Sequence, residues 1–336
     1  MKRKRTVTMD EIARLAKVSK PTVSRALSDS PLVNPKTKQH VLSVAKTYGY
    51  AVNRNAQKLR HKRTNTIAVS LDFRSHRKSH IADPFIFDLL AGVSEALGDK
   101  NQDLLLCAPI HNDTDAFQDI LSSRAADGFI VLGQGHREDM LHELSLSGAP
   151  FIVWGARSDE TPYCTVGSDN HLGGELAGRY FLECGRRHFL FVGDTTYREI
   201  SLRRDGMVKV AKECPDTVVV SDVTLSDFSY EAANDAITRH FDEATDLPDA
   251  VFAFNDTAAM AVISACRKRG LSVPESLSVV GYNDIPSAAY FCPPITTIRQ
   301  DTIQAGRLLA ANLMKMLDGE KPLSTTIKTE LIVRTT

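Results

Sequence analysis

What this chain of 336 residues lacks narrows its possibilities first. It holds one tryptophan, and its six cysteines (Cys107, Cys164, Cys184, Cys214, Cys266 and Cys292) are far apart with no C-x-x-C pair. Structural zinc sites and disulfide frameworks need clustered or patterned cysteines, so these read as reduced, mostly buried thiols. No run approaches the roughly 18 apolar residues of a membrane span. The start, MKRKRTVTMDE, is basic but has no apolar stretch behind it, so no secretion signal is expected and a cytoplasmic location is. There is no P-loop and no G-x-S-x-G, and Gly133-Gln134-Gly135 lacks the third glycine and the acid of a dinucleotide fingerprint. His76 and His80 stand near Asp83, but the basic loop RSHRKSH disfavours a bound divalent cation. No metal, no cofactor and no nucleophile–base pair is expected, and the chain reads as something other than an enzyme.

Net charge is missing as well, but the zero hides an asymmetry. Residues 1–64 carry 16 Lys/Arg against 3 Asp/Glu, a balance of +13, and the remaining 272 sum to −13. A basic head on an acidic body fits a head that meets phosphate and a body that stays off it.

The head's pattern is specific. In TMDEIARLAKVSKPTVSRAL (8–27), Ile12, Ala13, Leu15, Ala16 and Val18 recur at helical spacing, with Asp10 and Glu11 in a first turn where the helix dipole favours acids. Thr8 is placed to cap this helix and Ser19 a second one, in which Pro21 falls in the first turn at no hydrogen-bond cost. Val23, Ala26 and Leu27 make the second helix's apolar face, so Lys20, Thr22, Ser24 and Arg25 point elsewhere. Two short helices, a tight turn and small residues at the crossing predict a helix-turn-helix. A third helix is expected over 36–48. Residues 50–63 are polar and basic, with Ala56 and Leu59 as the only helix-like apolar positions, too few to hold a helix alone.

From Thr66 the texture changes to apolar runs alternating with helical stretches. Strands are expected at Thr66–Leu71, Asp103–Cys107, Gly128–Leu132 and Phe151–Trp154, with helices at Phe85–Lys100, Asp115–Ser123 and Arg137–Ser147. A second series has strands at His188–Val192, Val218–Val220, Ala250–Phe254 and Ser278–Gly281, and helices near Gly173–Cys184, Arg203–Lys212, Tyr230–Phe241 and Thr257–Arg269. Alternation of this kind builds two doubly wound parallel-sheet lobes, with a ligand cleft at the carboxyl ends of the strands.

The string Thr8-x-x-x-Ile12-Ala13-x-x-Ala16-x-Val18-Ser19-x-x-Thr22-Val23-Ser24-Arg25 resembles the DNA-binding signature of the LacI/GalR family of bacterial regulators. The likeness continues through Val33 and Tyr50-x-x-Asn53-x-x-Ala56-x-x-Leu59 and then covers essentially the whole chain. It implies a small all-α helix-turn-helix head (1–51), a hinge (52–65) and an α/β periplasmic-binding-protein-like core (66–336). Lobe 1 would span about 66–166 and 297–325, and lobe 2 about 167–296 and 326–336, with crossings near Val166–Asp169, Thr296–Asp301 and Leu323–Lys328.

The resemblance also implies roles. Lys20, Pro21 and Arg25 fall where relatives read bases in the major groove, Arg25 as a bidentate partner for guanine. Thr8, Thr22, Ser24, Asn34 and Asn53 would position the head on phosphates and sugars. Ala56 and Leu59 belong to a hinge that becomes helical on DNA and wedges a leucine between base pairs, although Val52 stands where the family usually has proline. In the cleft, Asp72, Phe85, Trp154, Arg203, Phe228, Asn255, Asn283 and Gln300 would hold the effector. Asn283 replaces the family's usual aspartate. Flat aromatics beside amide, carboxylate and guanidinium groups suit a sugar ring. The implied protein is a homodimeric repressor of carbohydrate-utilisation genes that binds double-stranded operator DNA. A purine or sugar-phosphate effector, or a pure solute-binding role, would be the alternatives.

Overall fold

The computed structural model describes residues 7–28, 30–50, 63–71, 84–107, 114–158 and 161–336. The hinge positions Asn53, Ala56 and Leu59, the cleft position Asp72, and His76 and His80 lie outside these residues. Contacts divide the chain into two compact units, 1–63 and 64–336.

The first unit contains α1 (Met9–Leu15), α2 (Lys20–Leu27) and α3 (Pro35–Thr47). Ile12, Ala13, Ala16, Val23, Ala26 and Val41 form its core, with Val18, Leu27, Val33, Val44 and Tyr50 packed around it. The small residues Ala13, Ala16 and Ala26 let the helices approach closely. The turn between α1 and α2 closes through Lys17 in the left-handed region (φ +54°). Lys17 N–H donates to Arg14 O at 3.3 Å and Val18 N–H to Ala13 O at 3.0 Å, which ends α1 in a Schellman-type cap.

The second unit opens on an anchor. The Asp127 carboxylate accepts from Thr64 N at 2.7 Å and Asn65 N at 2.7 Å, which fixes the chain where the core begins. Then come β1 (Thr66–Leu71), α4 (Pro84–Gly98), β2 (Asp103–Cys107), α5 (Thr114–Ser122), β3 (Gly128–Leu132), α6 (Glu138–Leu146), β4 (Phe151–Trp154) and β5 (Thr165–Ser168). The chain next crosses to α7 (Asn170–Glu183), β6 (His188–Val192), α8 (Arg198–Glu213), β7 (Val219–Val223), α9 (Tyr230–Glu243), β8 (Ala250–Ala253), α10 (Asp256–Lys268), β9 (Ser278–Asn283), α11 (Pro286–Tyr290) and β10 (Thr296–Arg299). It returns with α12 (Thr302–Leu317), which packs on α4, and β11 (Thr325–Ile327), and crosses last into β12 (Glu330–Ile332).

Two six-stranded sheets result, ordered β11-β5-β4-β3-β1-β2 and β12-β10-β9-β8-β6-β7. All pairings are parallel except β10–β12. The central strands β3 and β8 are apolar and fully buried, and β6 is so after its half-buried first residue, His188, as a sheet covered by helices on both faces requires. The three crossings fall at 168–170, 299–302 and 327–330, so each lobe takes strands from separate parts of the chain.

Several elements depart from the sequence reading. The helix expected from Arg203 starts at Arg198, because Tyr197 holds the N-cap position with no side-chain cap to mark it. The strand expected over Val218–Val220 runs to Val223 through Ser221 and Asp222, which an edge strand with one neighbour tolerates. Strands β5, β10 and β11 occupy segments expected only as crossings, and α12 was not anticipated, although Ala305, Leu309, Ala310 and Leu313 recur at helical spacing.

Candidate functional site

In the head, the caps organise what α2 presents. Thr8 and Glu11 form a reciprocal capping box: Glu11 N–H donates to Thr8 Oγ1 at 3.3 Å, and Thr8 N–H to Glu11 Oε2 at 2.9 Å. Ser19 Oγ accepts from Thr22 N–H at 3.3 Å and pairs with Thr22 Oγ1 at 2.8 Å. Asn34 Oδ1 takes Lys36 N–H at 2.9 Å and so caps α3. Thr8, Thr22 and Asn34 therefore hold helix ends, while Ser24 is half-buried. Lys20, Pro21 and Arg25 are exposed on the side of α2 away from Val23 and Ala26. Lys20 Nζ meets only the exposed Asp10 carboxylate, at 2.8 Å, a pair worth little in water and easily exchanged for phosphate.

In the core, loops at the carboxyl ends of the strands enclose a cavity of about 130 Å³. Lobe 1 supplies Phe85 and Ile86 from α4, Leu132 to Gly135 after β3, and Trp154 at the end of β4. Lobe 2 supplies Tyr197, Glu199, Ile200 and Arg203 around the start of α8, Phe228 after β7, Phe254 after β8, and Asn283 at the end of β9. The walls are aromatic. Phe85 and Trp154 meet at 6.0 Å between centroids, and Phe228 stands 4.9 Å from Tyr197 and 4.7 Å from Phe254. Beside them His136 meets Tyr197 with centroids 4.3 Å apart and rings tilted by 43°, one ring from each lobe.

Arg203 is the polar floor. Its Nε donates to Asn170 Oδ1 at 2.9 Å, its Nη1 donates to Phe254 O, and its guanidinium lies 3.6 Å over the Tyr282 ring. Burial pushes the Tyr282 hydroxyl up to about 12, against the pull of Arg203. One turn earlier on α8, burial raises the Glu199 carboxyl above its ordinary range. The backbone amides of Glu199 and Ala156 and the charge of Arg203 oppose that rise, and Glu138 adds to it. Asn283 has φ +106° and is followed by Asp284 at +56°, strained values held by side chains around them. Gln300 Nε2 donates to Asn283 Oδ1 at 2.6 Å, and Arg299 Nε to Asp284 Oδ2 at 2.7 Å.

Of the cleft positions expected from sequence, Phe85, Trp154, Arg203, Phe228 and Asn283 line this cavity. Asn255 does not. Its Oδ1 caps α10 by accepting Ala258 N–H at 2.8 Å, an end the Asn-Asp pair after a strand equally signals. Gln300 lies one layer behind, supporting Asn283, and faces a separate groove with Asp284 and Arg299. Gln134, Tyr197, Glu199 and Phe254 line the cavity without having been expected. For Tyr197 and Glu199 the cause is the misplaced start of α8. Phe254 follows β8 immediately and Gln134 stands two residues after β3, and that placement is the signal that could have found them.

Comparison with known proteins agrees with this anatomy. Residues 8–53 match the family described as bacterial regulatory proteins, lacI family, and residues 179–336 match the periplasmic binding protein-like domain. The transcriptional regulator CelR of Thermobifida fusca is 30% identical over 99% of both chains. The chain belongs to the LacI family. The transcriptional repressor PurR of Haemophilus influenzae is 29% identical over 89% of this chain and 88% of its own. Among solved structures, a CelR–cellobiose complex superposes with a TM-score of 0.69 at 28% identity, covering 98% and 99% of the two chains. The lac repressor dimer bound to operator and the anti-inducer ONPF superposes at 0.84 over 99% of each chain, and its 22% identity attests the fold. This LacI-family member is thus a DNA-binding transcriptional regulator with an effector-type core. No helix among the described residues is long and apolar enough to cross a membrane.

Proposed function

We propose that this regulator represses carbohydrate-use genes, its operator binding being controlled by a small sugar held in the interlobe cavity. The observation that carries the reading is the cavity's composition: five aromatic walls, Phe85, Trp154, Tyr197, Phe228 and Phe254, around Gln134, Glu199, Arg203 and Asn283. An aromatic face stacks on the apolar side of a pyranose or furanose, and the amide, carboxylate and guanidinium groups bond its hydroxyls at the edge. About 130 Å³ suits a single ring. A relative from Enterococcus faecium, 26% identical and with bound ribose, supports the ligand class, as does CelR with cellobiose.

In this reading residues 1–51 are the head, 52–65 the hinge and 66–336 the effector core of a cytoplasmic homodimer that does no chemistry on its ligand. Arg25, Lys20 and Pro21 read bases in each half-site, and Thr8, Thr22, Ser24, Asn34 and Asn53 set the head on the backbone. Ala56 and Leu59 belong to the hinge pair at the operator's centre, Asp72 completes the effector site, and Gln300 supports it through Asn283. Effector works by favouring one arrangement of the lobes, and so can move the equilibrium only by its differential affinity for the two.

The test is a thermal-denaturation screen of the full chain against neutral sugars, sugar phosphates and purines. A ligand at 100 times its Kd adds about 2.7 kcal/mol to the core. A sugar that raises the melting temperature and changes operator affinity is the expected result. Stabilisation by purines alone would replace the carbohydrate reading.

A further inference from the structure

Among the described residues, one acidic and one cationic side chain line the cavity, and both are on the first turns of α8. Arg203 forms its floor, and Glu199, four residues earlier, forms its wall. Glu199 sits in the helix's first turn, where Tyr197 contributes no side-chain cap and the dipole favours a carboxylate. Building on the carbohydrate reading, we propose that Glu199 sets the charge class of the effector: with Arg203 one turn along the same helix, it admits a neutral, hydroxyl-bearing ring and rejects anionic sugars.

The argument is electrostatic. In a partly enclosed, mostly apolar cavity a charge on the ligand is screened less than in bulk water, so the wall charges act on it more strongly than they would at the surface. A sugar acid or sugar phosphate would gain from Arg203, but Arg203 already serves Asn170, the Phe254 carbonyl and the Tyr282 ring, and the anion would face Glu199. An amino sugar meets the converse conflict with Arg203. Hydroxyls donate to one wall group and accept from the other, so a neutral ring satisfies both. Among the described residues, the other charged or titratable groups around Glu199 are Glu138 on α6, whose charge adds to its own, Tyr163 before β5, whose hydroxyl the charge of Glu199 helps to raise, and Arg137 and His136 in the loop after β3. Arg137 is buried and donates to Gly133 O, and His136 is exposed against Tyr197. Because burial raises the Glu199 carboxyl, its protonation on acidification removes the barrier to anions.

The experiment compares the full-length wild type with Glu199→Gln by calorimetry and thermal shift. Probes are D-glucose, D-galactose, D-mannose, D-xylose and D-ribose, each beside its aldonic or uronic acid and its terminal phosphate, at pH 7.5 and 5.5. Wild type is expected to bind at least one neutral sugar tenfold or more tighter than its anionic partners at pH 7.5, with the ratio to the sugar acids narrowing as the pH falls to 5.5. Glu199→Gln, which keeps the shape and removes the charge, should narrow or reverse the ratio by at least tenfold and leave the ratio to the sugar acids insensitive to pH; the phosphates, whose own second ionisation falls at about pH 6, are compared at pH 7.5 alone. A wild type that binds an anionic member best, or a variant with an unchanged ratio, overturns the assignment of Glu199 and leaves the carbohydrate reading standing. If no probe binds either protein, the carbohydrate reading fails and this assignment fails with it. The wild-type pH series with the sugar acids, which stay ionised throughout, gives the same decision without the variant should Glu199→Gln fold poorly.

Discussion

Replacing Arg203 by alanine separates two roles that sequence alone merges. By position it is an effector contact. Its hydrogen bonds to Asn170 Oδ1 and Phe254 O and its stacking on Tyr282 nevertheless all lie within lobe 2, where the side chain is only 8% exposed. Hydrogen bonds to a charged group contribute about 1.5–3 kcal/mol each, and a desolvated cation–π contact about 2. Relief of the guanidinium's own desolvation offsets part of this. A net loss of about 3–5 kcal/mol remains, because the Phe254 carbonyl and the Asn170 amide are left buried without that partner. At roughly 2–4 °C per kcal/mol for a domain of this order, the melting temperature of the core should fall on the order of 10 °C. Arg203→Lys should fall about half as far, since it keeps the charge but loses the planar fork. Calorimetric scans of the full chain without ligand make the measurement, with binding to non-specific DNA at low salt reporting the separately packed head. A fall of less than about 2 °C in Arg203→Ala, with effector response abolished, would refute the structural half of the argument and leave Arg203 a pure ligand contact.

Three further outcomes follow from local geometry. Gly206→Ala puts a Cβ 2.0 Å from His171 O where α7 and α8 cross, so the helices must separate; it should destabilise the core by at least about 1–3 kcal/mol and weaken ligand response, because α8 carries Glu199 and Arg203. Lys17→Gly removes the cost of a non-glycine residue at φ +54° and should stabilise the head by about 1 kcal/mol, read as slower amide exchange in α1 and α2 with the core's melting unchanged. The hydrogen bond from Lys209, with added pull from Arg179 and His171 and against burial, holds the Glu175 carboxyl below its ordinary 4.5. A lowered carboxylate stabilises the fold above its unfolded value and loses that contribution as pH falls through the folded one. Core stability should therefore drop on acidification below about pH 4.5, and Glu175→Gln should flatten that part of the curve.

Much was legible in the residues themselves because it depends on local physics. Thr8 and Ser19 announce helix starts by their side-chain oxygens, and Ile12, Ala13, Ala16, Val23 and Ala26 announce the head's core by spacing. The +13 head against the −13 body needs no coordinates. Alternating apolar runs and helices likewise disclose two parallel sheets, since strands buried on both faces must be apolar throughout. Tertiary structure alone decided which strand-end residues share a space. Nothing local separates Asn255, spent on the cap of α10, from Asn283, which reaches the cavity through a left-handed turn that Asp284, Arg299 and Gln300 hold. Glu199 joined the site only once α8 was seen to begin at Arg198 under an N-cap with no side-chain bond. The role of Arg203 depends on Asn170, Phe254 and Tyr282, which lie 33, 51 and 79 positions away along the chain. Periodicity reports which way a side chain faces relative to its own helix or strand; what it meets there is set by the folding of distant segments onto one another.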